Sequence, residues 1–236
     1  MDSLFIGASR LGIELSQGHL EQFEVYYREL VAWNRKINLT AITDYEEVQL
    51  KHFLDSISIA PVLGNNKGLK LIDIGTGAGL PGIPIKIVRP DISLTLLEAT
   101  TKKVRFLQHV TDRLRLKDVV TVNGRAEEIA HRYQYREQYD VAVSRAVAFL
   151  PVLVELALPF CRIGGLFIAQ KKGDSEQEIQ QSARSITEMG GRLKDIVTVN
   201  IEDSREKRKL VVIEKVKSTP DKYPRRPGIP ARKPIT

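Results

Sequence analysis

The sequence predicts an α/β protein with a mostly parallel sheet that ends in an antiparallel pair of strands, preceded by a small helical subdomain. Three observations support this fold class. After residue 68, short apolar runs alternate with helical patterns of ten or more residues, which is typical of βαβ units. The first run leads directly into a glycine-rich turn. The last two runs are joined by a short polar connection that is too short for a crossover helix, so they must pair antiparallel or lie apart.

Helical periodicity dominates the first 66 residues. Apolar residues recur at three-and-four spacing over Leu20 to Asn34 and again over Val48 to Ile57. Asn38-Leu39-Thr40 interrupts the pattern between them and includes a capping residue. The turn cluster over residues 64–68 ends this N-terminal helical subdomain, which we place at residues 1–66.

Seven strands follow, and we place the main domain at residues 67–217. The predicted strands are Leu69–Ile74, Ser93–Leu97, Val119–Val122, Asp140–Val143, Gly165–Ala169, Asp195–Val199 and Lys209–Glu214. Helices are predicted over Pro81–Val88, Lys102–Leu116 and Phe149–Phe160, with a polar helix around Ala183. Five βα units closed by a β-hairpin are the pattern of the class I S-adenosylmethionine-dependent methyltransferase fold, a Rossmann-like sheet. A dinucleotide-binding fold does not require that hairpin.

Composition excludes several classes of protein. The 236 residues are 42% hydrophobic and 28% charged, which suits a globular chain with a sizeable core. Cys161 is the single cysteine, so no disulfide framework can form; it lies in a helical apolar run and is interpreted as a buried, inert thiol. No run approaches the roughly 18 apolar residues of a membrane span, and the N-terminus lacks a signal-peptide pattern. We therefore expect a cytoplasmic protein with no membrane partner.

The positive charge is concentrated at the C-terminus. The net charge is +7, but residues 1–203 hold 25 Lys and Arg against 26 Asp and Glu, whereas residues 204–236 hold 11 against 3. Residues 218–236 carry five basic residues, one acid and five prolines that forbid a regular helix. We expect an extended basic arm along RNA phosphates, with Arg225, Arg226, Arg232 and Lys233 as its contacts. The alternative is a solvated, partly disordered end.

The strongest local motif is the turn after the first strand. Gly75, Gly77, Gly79 and Leu80 lie where an apolar strand passes into a helix. Glycines let the backbone approach a ligand closely, and the following helix N-terminus offers free N–H groups to an anion. The segment Gly77–Gly82 also reads GxGxxG, which alone is weak evidence for a dinucleotide site.

Two acids favour S-adenosylmethionine as the ligand. Glu98 ends the second strand, where a carboxylate can accept hydrogen bonds from both ribose hydroxyls. Asp73 precedes the first glycine and suits a ligand with a cationic end rather than a pyrophosphate. S-adenosylmethionine carries an ammonium, a sulfonium and a ribose. Glu98 could instead be a solvated loop acid, and Asp73 could stabilise the turn.

The loops after the third and fourth strands complete the expected crevice. Ala126 and Glu127 are positioned to flank an adenine and bind its edge, and Arg145 is the one cation expected at the centre. Arg145 could instead form a surface ion pair. His52 could touch substrate, although a satisfied histidine within the helical subdomain is favoured. The four histidines lack zinc-ligand spacing, so we expect no metal.

The sequence resembles the bacterial small-subunit (16S) ribosomal RNA guanine-N7 methyltransferases of the RsmG, or GidB, type. The similarity runs nearly end to end, over Trp33-Asn34, Asn38-Leu39-Thr40, His52-Phe53-Leu54-Asp55-Ser56, Asp73–Pro84, Lys102-Lys103, Arg125-Ala126-Glu127, Ser144-Arg145-Ala146 and Lys171-Lys172-Gly173. The resemblance implies cofactor contacts at Gly75, Leu80, Ala126, Glu127 and Arg145. It also implies a guanine in the decoding region of the small-subunit RNA as the target.

Guanine N7 carries a lone pair and no proton, so we expect no general base and assign no catalytic residue beyond Arg145, a candidate for orienting substrate or cofactor. The expected partner is small-subunit ribosomal RNA or the small ribosomal subunit, and we expect a monomer. Two alternatives stay open. One is a nicotinamide-dependent oxidoreductase that uses the GxGxxG and Glu98. The other is a non-catalytic RNA-binding protein on a cofactor fold.

Overall fold

The structure is a computed structural model that describes residues 1–145, 148–173, 175–200 and 208–236. The strands within these ranges are β1 (Lys70–Ile74), β2 (Ser93–Glu98), β3 (Val119–Asn123), β4 (Tyr139–Arg145), β5 (Cys161–Lys172), β6 (Gly191–Val199) and β7 (Arg208–Lys215). The helices are α1 (Asp2–Arg10), α2 (Gln17–Asn34), α3 (Tyr45–Val48), α4 (Asp55–Ile57), α5 (Ala60–Leu63), α6 (Gly82–Val88), α7 (Thr101–Arg113), α8 (Ala126–Ile129), α9 (Leu150–Ala157), α10 (Glu176–Gln181), α11 (Ala183–Glu188) and α12 (Ile229–Arg232). A π-helical turn (Gln49–Leu54) joins α3 to α4.

The strands form one seven-stranded sheet in the order β3-β2-β1-β4-β5-β7-β6. Strands β1 to β5 pair in parallel, whereas β7 is antiparallel to both β5 and β6. The predicted fold class is confirmed, including the antiparallel closing pair. The strand order reverses between β1 and β4, and in open α/β sheets such a switch point marks the ligand crevice at the carboxyl edge.

The strand predicted over Gly165–Ala169 is longer than expected. It begins at Cys161, which pairs with Tyr139 before a register irregularity, and the regular ladder to β4 resumes at Leu166. Cys161 therefore starts a strand instead of ending a helix. It is fully buried, and burial raises the pKa of its thiol to about 12, which keeps the thiol protonated.

The N-terminal helices share an apolar core with one face of the sheet. Phe23, Tyr26 and Leu30 of α2 are fully buried in a cluster that also contains Leu71 of β1 and Ile83 of α6. Helix α3 is capped by Asp44, whose side chain accepts the N–H groups of Glu46 and Glu47, and not by a residue of Asn38-Leu39-Thr40. Contacts of Tyr26 with the turn after β1, and of Lys51 and Asp55 with Arg145 at the end of β4, place the helical subdomain over the carboxyl edge of these two strands.

The C-terminal segment, residues 218–236, packs on the opposite face of the sheet and is not an extended arm. Tyr223 and Ile235 are buried in an apolar cluster with Ile129 and Leu150. Its prolines also do not exclude helix, because Pro230 lies in the first turn of α12, where a missing N–H costs nothing. Among the described residues, no helix is both long and apolar enough to cross a bilayer.

Candidate functional site

The glycine-rich turn connects β1 to α6 at the switch point of the sheet. The N–H groups of Gly75 and Thr76 both donate to the carbonyl of Leu97, which ties the turn to the end of β2. Gly79 has a φ of +93°, and a Cβ there would lie 2.8 Å from the Tyr26 hydroxyl oxygen. That hydroxyl donates to the carbonyl of Ala78 at 2.5 Å. Tyr26 of helix α2 therefore packs against the glycine-rich turn, and its hydroxyl leaves no room for a side chain at position 79, which requires glycine.

Asp73 braces this turn from inside the protein. Its Oδ2 accepts hydrogen bonds from the Thr76 hydroxyl at 2.6 Å and from the Gly82 N–H at 2.8 Å. Its Oδ1 is buried and has no partner among the described residues. Burial raises the pKa of Asp73 to about 7. The turn-stabilising interpretation of Asp73 thus has direct geometric support, and the unpaired Oδ1 leaves an acceptor for a ligand.

Glu98 lies at the other side of the turn. Its Oε2 accepts the Gly77 N–H at 3.0 Å, and its Oε1 accepts the Thr100 N–H at 2.8 Å. The residue is only 7% exposed, so it is not a solvated loop acid. Each carboxylate oxygen has a second lone pair, so Glu98 can hold the turn and still accept a ligand hydroxyl.

Helix α8 follows β3, the neighbour of β2, and carries Ala126 and Glu127. Both residues are half-buried, and Ala126 packs against the apolar cluster beneath it. The Glu127 Oε1 accepts the backbone N–H of Gly228 at 3.1 Å. The carboxylate is therefore held by the C-terminal segment, through a contact between residues that lie 101 positions apart in the chain.

Arg145 ends β4 and forms a buried ion pair with Asp55 of α4. Its Nη1 lies 3.0 Å from Asp55 Oδ2 and 2.9 Å from the carbonyl oxygen of Lys51. Asp55 is 1% exposed, and its Oδ1 accepts from Arg208 Nε at 2.9 Å and from Gln170 Nε2 at 3.2 Å. The helical subdomain thus fixes Arg145. The ion pair with Asp55 is largely buried, whereas the sequence also allowed an ion pair on the surface.

A pocket of 490 Å³ opens beside this ion pair, at the carboxyl ends of β4 and β5. Its lining includes five cationic side chains, namely Lys51, Arg145, Lys171, Lys172 and Arg208, and two acids, Asp55 and Glu178. Phe149 also lines the pocket and is 36% exposed. The pocket therefore combines an excess of positive charge with an accessible aromatic ring, which suits a nucleotide of a polyanion.

His52 lines the same pocket but is already hydrogen-bonded. Its Nε2 lies 2.8 Å from the Thr40 hydroxyl oxygen, and its Nδ1 lies 3.1 Å from the carbonyl oxygen of Lys51. Burial, reinforced by the nearby Arg145 cation, lowers the pKa of His52 to about 4. The imidazole is neutral at pH 7.

The four basic residues predicted to contact RNA divide into two kinds. Arg225 is bound to Glu155 of α9, with Nη2 2.6 Å from Oε2, so its guanidinium is not free for phosphate as expected. The reason is that Glu155 is fully buried and needs a cation. Arg226, Arg232 and Lys233 are exposed on the surface of the segment.

Sequence reasoning did not find Arg208, Gln170 or Phe149 as pocket residues. Arg208 is part of a basic run that is typical of a solvated connection, so nothing local distinguished it from its neighbours. Asp55 did leave a signal, because it is the single acid within the helical pattern of Val48 to Ile57. Ala146, part of the motif around Arg145, lies outside the described residues.

The residues at the crevice fit S-adenosylmethionine. The unpaired, buried Oδ1 of Asp73 is an acceptor suited to a cationic group, and Glu98 is suited to ribose hydroxyls. Gly77 has a φ of +60°, and a Cβ there would meet only a backbone oxygen at 3.9 Å, so the turn leaves open space in front of it. Within the described ranges, no three His, Cys, Asp or Glu side chains cluster closely enough to hold a metal ion.

Comparison with known proteins identifies the family. A family described as GidB, rRNA small subunit methyltransferase G, matches residues 19–211. The chain is 51% identical to ribosomal RNA small subunit methyltransferase G of Dehalococcoides mccartyi over 236 residues, which cover 100% of both chains. It is 49% identical to the protein of the same name from Acetivibrio thermocellus, over 99% of this chain and 96% of that one.

The chain belongs to this family. Membership confirms the predicted resemblance and makes the chain a methyltransferase that uses S-adenosylmethionine, as the sequence predicts. Among solved structures, TYW2 of M. jannaschii in complex with AdoMet superposes with a TM-score of 0.54 at 12% identity, over 86% of this chain and 78% of that one. That likeness supports the fold alone.

Proposed function

We propose that this protein transfers a methyl group from S-adenosylmethionine to N7 of a guanine in the decoding region of small-subunit ribosomal RNA. The observation that carries the proposal is the basic pocket around Arg145 and Phe149, which opens at the carboxyl edge of the sheet that also carries the glycine turn, on the strand next to β1. Two relatives that match this chain over at least 96% of their length are named small-subunit RNA methyltransferases.

The residues that would hold the cofactor lie at the carboxyl ends of β1, β2 and β3. Glu98 would accept the ribose hydroxyls, Ala126 and Glu127 would flank the adenine, and Leu80 with the glycine turn would contact the methionine portion. Asp73 offers its unpaired Oδ1 toward the ammonium end. When bound, S-adenosylmethionine supplies an electrophilic methyl group on a sulfonium.

The residues of the pocket orient the base and exclude water. Guanine N7 has an in-plane lone pair and no proton, so no side chain has to remove a proton before the methyl is transferred. His52, neutral and hydrogen-bonded, is accordingly not required as a base. Phe149 stacks on the base after it is unstacked from the RNA, which costs a few kcal/mol.

Arg145 contributes charge without blocking the reacting atom. Arginine commonly grips O6 and N7 of guanine together, but N7 must stay free here. The Nη1 of Arg145 is occupied by Asp55 and by the carbonyl of Lys51, so the fork formed by Nη1 and Nη2 is not available for a two-pronged contact with the base. Arg145 therefore holds O6 alone, a phosphate or the cofactor.

The test is to incubate the protein with methyl-labelled S-adenosylmethionine and either small ribosomal subunits or naked small-subunit RNA. We expect label at one guanine, mapped by nuclease digestion and mass spectrometry. Phe149→Ala should raise the KM for RNA about tenfold because base stacking contributes roughly 1–3 kcal/mol, while the Kd for S-adenosylmethionine stays unchanged. Calorimetric preference for NAD, or bound cofactor with no label in RNA, would refute the proposal.

A further inference from the structure

The C-terminal segment, residues 218–236, is anchored to the body by partly buried polar contacts and by buried apolar side chains. Arg136 donates to the carbonyls of Tyr223 at 2.9 Å and Thr219 at 2.8 Å, and His131 Nε2 lies 2.8 Å from the carbonyl oxygen of Pro224. The side chains of Tyr223 and Ile235 are buried in the cluster that includes α8. These contacts hold the segment against the side of the protein that carries α8.

Arg225 provides the central anchor. Its backbone N–H, Nε and Nη2 donate to the Glu155 carboxylate at distances of 2.6–2.9 Å. Glu155 is fully buried, and a buried carboxylate is tolerated only when its oxygens are paired. The Arg225 Nη2 also donates to the carbonyl of Lys233 at 2.8 Å, which closes the segment on itself around α12.

Three residues after this anchor, the segment reaches a predicted cofactor contact. Gly228 adopts a φ of +80° at the start of α12, and its N–H donates to Glu127 Oε1 at 3.1 Å. In the part of the chain that the structure describes, the other oxygen of Glu127, Oε2, has no hydrogen bond. The segment thus fixes one oxygen of the carboxylate and leaves the other for a ligand.

We propose that residues 218–236 are a structural part of the cofactor site, in which the anchored Gly228 N–H positions Glu127 to accept the exocyclic amine of adenine through Oε2. This inference rests on the proposed function, because it takes S-adenosylmethionine as the ligand. A carboxylate held in one orientation loses less conformational freedom when it binds. The affinity for cofactor therefore depends on the segment even when no RNA is present.

The first experiment measures S-adenosylmethionine binding by calorimetry without RNA. Arg225→Gln removes the guanidinium anchor, and we expect the Kd to rise about threefold to tenfold, the range of one hydrogen bond. Arg162→Gln is the matched control. This change breaks the ion pair between Arg162 Nε and Asp140 Oδ1, which are 2.7 Å apart at the amino end of β4, the end away from the cofactor crevice. It should leave the Kd unchanged.

A double-mutant cycle with Glu127→Gln separates positioning from general destabilisation. A glutamine side chain places an oxygen at one of the two terminal positions and a donor NH2 at the other, so it cannot accept the Gly228 N–H at one position and the adenine amine at the other as the two carboxylate oxygens do. The Kd should therefore rise in that variant and no longer respond to Arg225→Gln. Equal effects of Arg225→Gln in both backgrounds, or no effect in either, would overturn the inference.

A second variant and a wild-type control make the experiment interpretable. If Arg225→Gln does not fold, Gly228→Ala replaces it, because its Cβ meets open space but the left-handed φ is strained for alanine, which shifts the N–H away from Glu127. The same non-additivity with Glu127→Gln is expected, and additive effects would again overturn the inference. A wild-type protein that does not bind S-adenosylmethionine at all would instead refute the proposed function.

Discussion

Replacing Glu98 with alanine tests the predicted cofactor site at its most specific contact. The change removes a carboxylate that is 7% exposed and that accepts the N–H groups of Gly77 and Thr100. It therefore removes the acceptor for the ribose hydroxyls and, at the same time, one of the links between the glycine turn and the end of β2.

The expected loss is large because the carboxylate is charged and shielded from solvent. Hydrogen bonds to a charged group contribute roughly 1.5–3 kcal/mol each, so two ribose hydroxyls that share Glu98 account for about 3 kcal/mol or more. Since 1.4 kcal/mol corresponds to a factor of ten, the Kd for S-adenosylmethionine should rise at least about 100-fold. Weaker ordering of the Gly77 turn adds to this loss.

The assay is calorimetric titration, with Asp91→Ala as the matched control. Asp91 is also an acid near β2, but it precedes the strand, pairs with Arg89 at 3.0 Å and accepts the Gly68 N–H. Its loss changes the net charge equally and should leave the Kd within about twofold. Both variants are checked for folding by thermal unfolding. Equal affinities of two folded variants would refute the ribose assignment.

Three further predictions concern pH and salt. Burial raises the pKa of Asp73 to about 7, so its negative charge forms only as pH rises through 7. S-adenosylmethionine should therefore bind more tightly at pH 8 than at pH 6, and the Kd of Asp73→Asn measured by calorimetry should not depend on pH in this way. A wild-type Kd that does not change with pH would contradict this prediction. The folded-state pKa of His52 is about 4 against 6.5 unfolded, so the folded state binds fewer protons between these values and stability falls by up to about 3 kcal/mol as pH drops through this window. His52→Gln should flatten that part of the denaturant-derived stability curve, and parallel curves for the two proteins would be evidence against the assignment. Replacing Arg226, Arg232 and Lys233 together with glutamine should reduce the slope of log affinity for RNA against log salt by about 3, and an unchanged slope in a binding series would remove these residues from the RNA contact.

Elements with strong local signals were predicted well from the sequence. The strand, glycine turn and helix around Gly75 and Gly82 lie where the pattern placed them, because turn glycines and apolar runs express preferences of neighbouring residues. The Phe149 region shows the limit of that reasoning. The helix predicted to Phe160 ends at Ala157, and a 3₁₀ turn follows in which Pro159 cannot donate a helical hydrogen bond.

The C-terminal segment was predicted less well because composition does not reveal a buried partner. Its prolines and basic residues are typical of an extended, solvated arm. Glu155 lies 70 positions earlier in an apolar helix and requires a cation, and Arg225 meets that requirement. No periodicity or residue spacing in the sequence predicts an ion pair between residues that lie so far apart in the chain.

The sequence by itself determined the class of fold, the glycine turn, the acids Asp73 and Glu98 beside it and the family of the chain. Those features depend on runs of neighbouring residues and on motifs that keep their order along the chain. Tertiary structure alone decided that Asp55 joins Arg145 to Arg208, which lies 153 positions from Asp55, and that Gly228 reaches Glu127. The Asp55 contacts arise because a buried carboxylate must be paired with whichever donors the packing of distant elements brings to it. The Glu127 contact arises because the packing of the C-terminal segment brings the Gly228 N–H beside a half-buried carboxylate.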